Sequence, residues 1–152
     1  PGFMVGPEVE QTAQVRHVSR MFVTAAHLRV PFFSVVLRKG YGLGAMGMAA
    51  GGLHAPVFTV AWPTGEFGAM GLEGAVRLGF KKELEALPEG PEREALYQKL
   101  VAKSYANGEA MHMAATLEID AVIDPLDTRA WLARGLASAR VGAPGVRFID
   151  TW

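Results

Sequence analysis

Two short apolar runs constrain this chain more than anything else in it. Residues 32–37 lie in "VPFFSVVL" and residues 57–62 in "APVFTVAW"; both are continuous runs of β-formers. Such runs read as strands covered on both faces, the pattern of a parallel sheet. The seventeen residues 39–55 lie between them. That length accommodates the crossover of a parallel βαβ unit and predicts a helix near residues 44–50.

The connecting stretch, "RKGYGLGAMGMAAGG", is unusual in its own right. Six of its fifteen residues are glycine, and its bulky apolar residues are only Leu43, Met46 and Met48. A glycine-rich turn from a buried strand into a helix lets main chain approach a ligand and leaves N–H groups pointing outward. The stretch lacks the GKS or GKT ending of a phosphate loop. It fits GxGxxG only at Gly42, Gly44 and Gly47, and no acidic residue follows at the dinucleotide-binding distance; Thr64 and Glu66 are the nearest candidates. Two readings stay open on the loop alone: an oxyanion site made of amides at a helix start, or close helix-on-sheet packing.

The remaining pattern alternates helix with extended chain. Pro7 opens a helix that runs without glycine or proline over residues 8–28, with Val15, Val18, Phe22 and Ala25 or Ala26 at helical spacing. After "PTGEFGAMGLEGAV", helices are expected over 72–79, 81–87, 92–105 and from Gly108 and Glu109 through Leu117. In "DAVIDPLDT", Asp124 caps, Pro125 takes the first helical position and Asp127 adds negative charge to the first turn of a last helix over 126–139. "GAPGVRFIDTW" reads as loop and tail. The 152 residues fit one domain, 1–152, with no repeat. Fifteen basic residues balance fifteen acidic ones, which argues against nucleic acid or an anionic membrane surface as partner. The absence of cysteine excludes thiolate metal sites, disulfides and a thiol nucleophile. His17, His27, His54 and His112 show no ligand spacing, so no metal is expected. With neither a signal peptide nor a membrane span in view, the expected location is cytoplasmic. The start at Pro1 reads as a cut from something longer.

Four motifs, "PGFMVGPEVEQ", "VLRKGYGLGAMGMA", "AWPTGEFGAMGLEGAV" and "VIDPLDTR", occur in the order found in biotin-dependent acyl-CoA carboxylases. They resemble the C-terminal half of the carboxyltransferase (β) chain of the acetyl-/propionyl-CoA carboxylase type, from Pro1 to about residue 136. The resemblance implies an α/β fold of the crotonase superfamily, a ββα spiral around a mostly parallel sheet with C-terminal helices. It further implies carboxyl transfer from biotin to the α-carbon of an acyl-CoA, with the acyl-CoA half lying N-terminal to this chain. Biotin on a carrier protein or domain and a biotin carboxylase component are the implied partners, within a homo-oligomer whose active site lies between two subunits.

Residue by residue, the resemblance places a biotin oxyanion hole on the amides of Leu43 and Gly44, which would face a cleft. Tyr41 and Gly42 precede it in the same motif, and Phe3 and Gly6 match a loop near the biotin site. Leu43 departs from the glycine common at its position. Met46 stands beside the acyl group where some members carry Asp. Arg38 and Lys39 could face CoA phosphates, a carboxylate, solvent or a structural ion pair. Three functional classes follow: carboxyl transfer, a crotonase-type hydratase or isomerase with Glu66 as base, and a non-catalytic oligomerisation fragment. The carboxyl-transfer reading makes Glu66 structural. The acyl group and the direction of CO2 transfer are left open.

Overall fold

The computed structural model describes residues 2–140. Its logic is a repeated strand–strand–helix unit. The first unit contains β1 (Phe33–Val36), β2 (Lys39–Tyr41) and α3 (Gly42–Met48); the second contains β3 (Phe58–Ala61), β4 (Glu66–Gly68) and α4 (Leu72–Gly79). Equivalent strands pair. β1 lies parallel to β3, with Phe33 opposite Phe58 and Val36 opposite Ala61. β2 lies parallel to β4, with Lys39 opposite Glu66 and Tyr41 opposite Gly68. A later strand, β5 (Ala121–Val122), adds to the other side of β3. The chain therefore winds as a spiral with two narrow parallel sheets, β1-β3-β5 and β2-β4.

The parallel pairing of the two apolar runs and the helix between them are as the sequence predicts. Their burial is unequal. β3 is central and buried along its whole length, whereas β1 is an edge strand and only half-buried. The expectation that both runs are covered on both faces therefore fails for the first. β2 and β4 escaped the sequence reading because each has only three residues and two of the six are glycine.

The N-terminal helix is also corrected. In place of one helix over 8–28 there are two, α1 (Pro7–Glu10) and α2 (Gln14–His27). Ala13 sits between them in the left-handed region, φ 59°. Thr12 donates its hydroxyl to the carbonyl of Val9 at 2.7 Å, and the main chain closes tight turns onto Val9 and Glu10. Such local bonding competes with helix continuation without any glycine or proline signal. No residue of α2 is buried, and Val15, expected on its packed face, is 74% exposed.

The C-terminal half follows expectation with small shifts at the ends. After α4 come α5 (Lys81–Glu85), α6 (Pro91–Asn107) and α7 (Ala110–Ala115). Asp124 accepts from the amide of Leu126 at 2.8 Å, and Pro125 opens a 3-10 turn, Pro125–Asp127, that leads into α8 (Thr128–Ser138). The tail reading, "GAPGVRFIDTW", lies outside the described residues.

Two apolar clusters hold the sheet in place. Phe58, Val60 and Ile123 pack with Phe33, Trp131 and Leu132 on one side; Ala61, Phe67, Ala110 and Ile119 pack with Val36 and Leu53 on the other. Gly135 lets α8 sit against the first cluster, since a Cβ there would lie 2.6 Å from the Phe58 ring and 2.7 Å from the Phe33 ring. Thr59 is fully buried, and its amide donates to the Asp120 carboxylate at 2.7 Å, which fixes the chain entering β5.

Candidate functional site

β2 ends at Tyr41 and α3 begins at once, and glycine makes that abrupt change possible. Gly42 has φ +51°, and a Cβ on it would run into the carbonyl oxygen of Ala69 just beyond β4. Both the backbone angle and the close approach exclude a side chain there. The first turn of any α-helix has amides without an intrahelical acceptor, which here are those of Gly42, Leu43 and Gly44. A seven-residue helix has a small dipole, so the amides themselves carry whatever an anion would feel.

The second motif comes to the same place. The main chain of Gly2 lies over Gly44, so close that a Cβ on Gly44 would sit 2.7 Å from Gly2 Cα. The Phe3 ring reaches the position that a Cβ on Gly47 would occupy, at 3.5 Å. Gly6, at φ +123°, bends the chain into α1 and has no neighbour on the side where a Cβ would stand. Phe3, Tyr41, Gly42, Leu43 and Gly44 thus gather around one helix start, while Gly6 stands at the next bend. Leu43 projects into solvent and Gly44 is buried under Gly2. Neither lines the two clefts beside the turn, which touch Gly42, Ala45, Met46 and Met48 instead. Met46, 42% exposed, stands at the edge of one of them with Phe67, Leu72 and Met113.

A polar group lies along β2 and β4, where Lys39 takes the structural ion pair that is one of its open readings in the sequence. Lys39 faces Glu66 across the parallel pair, with Nζ 3.3 Å from Oε1. The alignment is that of an ion pair without a directed hydrogen bond, since Oε1 is buried and has no hydrogen-bond partner. The same ammonium lies 5.5 Å from the centroid of the Tyr41 ring, whose hydroxyl is buried without a partner. Tyr105 on α6 donates to Glu73 on α4 at 2.6 Å. That bond, then Glu73's own main-chain amide and the charge of Lys39, holds the Glu73 carboxyl below the usual carboxylate range. The bond raises the Tyr105 phenol, as do burial and the Glu73 charge. Thirty-two positions separate the two residues and no motif links them, so only the folded α4–α6 contact reveals the pair.

Glu66 is therefore engaged by a lysine and not held as a free base. In the β2-β4 register it stands two residues before the level of Tyr41, about 6.6 Å of strand. Arg38 contributes its carbonyl to the amide of Glu66. Among the described residues, no three His, Asp or Glu side chains converge as a metal site. His27 and His54 bond to the carbonyls of Val23 and Leu117. No helix among the described residues is long and apolar enough to cross a membrane.

Comparison with known proteins agrees with this geometry. The profile of the carboxyl transferase domain matches residues 1–143. The biotin-dependent acetyl-/propionyl-coenzyme A carboxylase beta6 subunit of Mycobacterium bovis is 36% identical over 141 residues, covering 91% of this chain and 29% of that protein. A solved single-chain, multi-domain long-chain acyl-CoA carboxylase is 55% identical with a TM-score of 0.74, over 88% of this chain and 13% of that one. The transcarboxylase 12S hexamer, solved with methylmalonyl-CoA and methylmalonic acid bound, superposes with a TM-score of 0.82 at 30% identity, over 99% of this chain and 29% of that one. The chain thus spans less than a third of the length of the relatives it matches. Its strand–strand–helix spiral is the crotonase-like fold of these carboxyltransferases. With a match from residue 1 to residue 143 and relatives of this kind, the chain belongs to the carboxyl transferase domain family.

Proposed function

We propose that this chain is the biotin-side, C-terminal half of an acyl-CoA carboxyltransferase and that it moves a carboxyl group from carboxybiotin to the α-carbon of an acyl-CoA. The observation that carries this reading is the turn at Gly42. There a forced left-handed angle starts α3 directly after β2, and the Gly2–Phe3 main chain closes over the same helix start. Main-chain donors flanked by glycine suit a neutral group that becomes negative at one oxygen. Carboxybiotin supplies an activated carboxyl group at this place. The chain's part is to donate from the amides of Leu43, the exposed member of the pair, and of Gly44, once the Gly2 segment that covers it moves aside, to the oxygen that gains charge as the carboxyl leaves.

A biotinylated carrier and a biotin carboxylase are the partners this reaction requires. The acyl-CoA would be held by an N-terminal half, for which the greater length of the relatives leaves room. The 55% identity with a long-chain acyl-CoA carboxylase supports a long-chain thioester as the acceptor. No observation favours a hydratase or isomerase, because Glu66 is paired with Lys39.

The test is a substitution that deletes one donor and little else. Proline at position 43 is compatible with the first helical turn but has no N–H. With the acyl-CoA half supplied, Leu43→Pro lowers carboxyl transfer from the biotinylated carrier 10²–10³-fold, equivalent to about 2.7–4 kcal/mol. Leu43→Ala, which keeps the amide, stays near the parent rate. Equal loss in both variants, with the fold intact by circular dichroism, would exclude the amide as donor.

A further inference from the structure

A cleft of about 400 Å³ opens beside the C-terminal end of α2. Its apolar lining comes chiefly from Pro31, Phe32, Ala50, Ala55 and Val57. Two arginines share that lining: Arg29, two residues past the end of α2, and Arg140, two residues past the end of α8. Both are exposed, and among the described residues neither makes an ion pair or a side-chain hydrogen bond. A cation just past a helix end complements the negative pole there, which accounts for each arginine taken singly. It does not account for their meeting. Two helices remote in sequence deliver their arginines to one cleft, and no Asp or Glu lines it.

We infer that this cleft binds a small organic anion, an apolar body carrying a carboxylate or phosphate head. A guanidinium presents its donors in a planar fork that matches either head with two parallel bonds. Two such cations with no acidic residue in the lining leave a positive potential that an anion relieves. The apolar residues take the body, and the volume is that of a small-molecule pocket. An inorganic ion would leave those residues in water. The cleft shares no lining residue with the two clefts beside the Gly42 turn. The inference therefore goes beyond the carboxyl-transfer reading and does not rest on it.

Naphthalene derivatives titrated into the full chain test head and body separately. Naphthaleneacetate and naphthyl phosphate carry the two heads, naphthaleneacetamide is neutral, and inorganic phosphate has no body. The better of the two organic anions identifies the head and binds about tenfold or more tighter than the neutral carboxamide, as a charged hydrogen bond predicts. It exceeds inorganic phosphate by about tenfold or more as well, through the apolar area it buries. In NMR spectra it shifts the main-chain signals of Val30, Ala55 and Val57. Changing both arginines, Arg29→Gln with Arg140→Gln, abolishes the preference for charge and leaves Tm and carboxamide binding as they were, because both side chains are exposed and unpaired among the described residues. Val57→Glu, which adds an acid to the lining at a 51% exposed position, weakens the anion and spares the carboxamide. Equal affinity for anion and carboxamide overturns the inference, and so does a preference for charge that survives both variants. Inorganic phosphate that binds as tightly as the organic anions rejects the apolar body and with it the ligand class. Shifts confined to the Gly42 turn would put the ligand outside this cleft and overturn it equally.

Discussion

Gly42, Glu66 and the Glu73–Tyr105 pair each respond to one change in a direction the geometry dictates. Gly42→Ala meets both a left-handed φ and the Ala69 carbonyl, so it destabilises by more than the about 1 kcal/mol that the backbone angle alone costs; a chemical-denaturation midpoint equal to the parent's would show that the turn relaxes freely. Glu66→Gln keeps the shape of a residue whose charge only meets Lys39. Carboxyl transfer should stay within about threefold, since a half-exposed ion pair contributes about 1 kcal/mol or less; loss of turnover in a folded protein would make Glu66 a base after all. The Glu73 carboxyl is depressed because its charged form accepts from Tyr105. A depressed acid stabilises the fold above its unfolded pKa and loses that contribution as pH falls through the folded value. Tyr105 has the opposite sign: its raised phenol supports the fold below the ordinary tyrosine range and stops doing so as pH rises through the folded value. Tyr105→Phe therefore moves the Glu73 titration, followed by carboxyl carbon NMR, upward toward an ordinary glutamate. An unchanged titration would mean that the bond does not persist in solution.

At the scale of elements, legibility tracked how local the cause was. The two apolar runs, their parallel pairing and the Asp124–Pro125 helix start rest on neighbours in sequence, and all were readable there. β2 and β4 were not, because a three-residue strand containing glycine has no periodicity to detect; each is a strand only because the other lies beside it. The break at Ala13 was hidden for a different reason. A threonine hydroxyl bonding to the carbonyl three residues back ends a helix that composition would continue. In the site, the YGLG turn was legible as a motif, whereas the burial of Gly44 under Gly2 needs two segments forty residues apart in sequence to meet. Gly135 belongs with these non-local cases: nothing beside it in the chain demands glycine, yet two phenylalanine rings do. Gly135→Val would push α8 off the sheet and cost about 1–3 kcal/mol, as overpacking does. Thermal unfolding would register a clear drop in Tm. No drop would mean that α8 shifts without loss.

For the molecule as a whole, the uneven covering of its apolar surface has a consequence in solution. α2 carries Phe22 and Val23 on one side, yet none of its fourteen residues is buried. β1 forms an open edge of a parallel sheet, a position usually covered. Between α2 and α3 lies a groove of about 480 Å³ lined by Met21, Ala25, Phe32 and Met48, with Met48 56% exposed. Contiguous exposed apolar surface of this kind marks a protein–protein contact. A second copy of the chain is the partner present whenever the protein is concentrated. Sedimentation at tens of micromolar should therefore find dimers or larger species. Met21→Glu, which places a charge in the groove on an exposed side chain, should shift them toward monomer without lowering Tm. A wild-type chain that sediments as a single monomeric species across that range would show that the α2–α3 face is stable in water by itself. Association unaltered by Met21→Glu would move the contact to another face, with Leu78, Phe80 and Met111 the next exposed apolar residues to change.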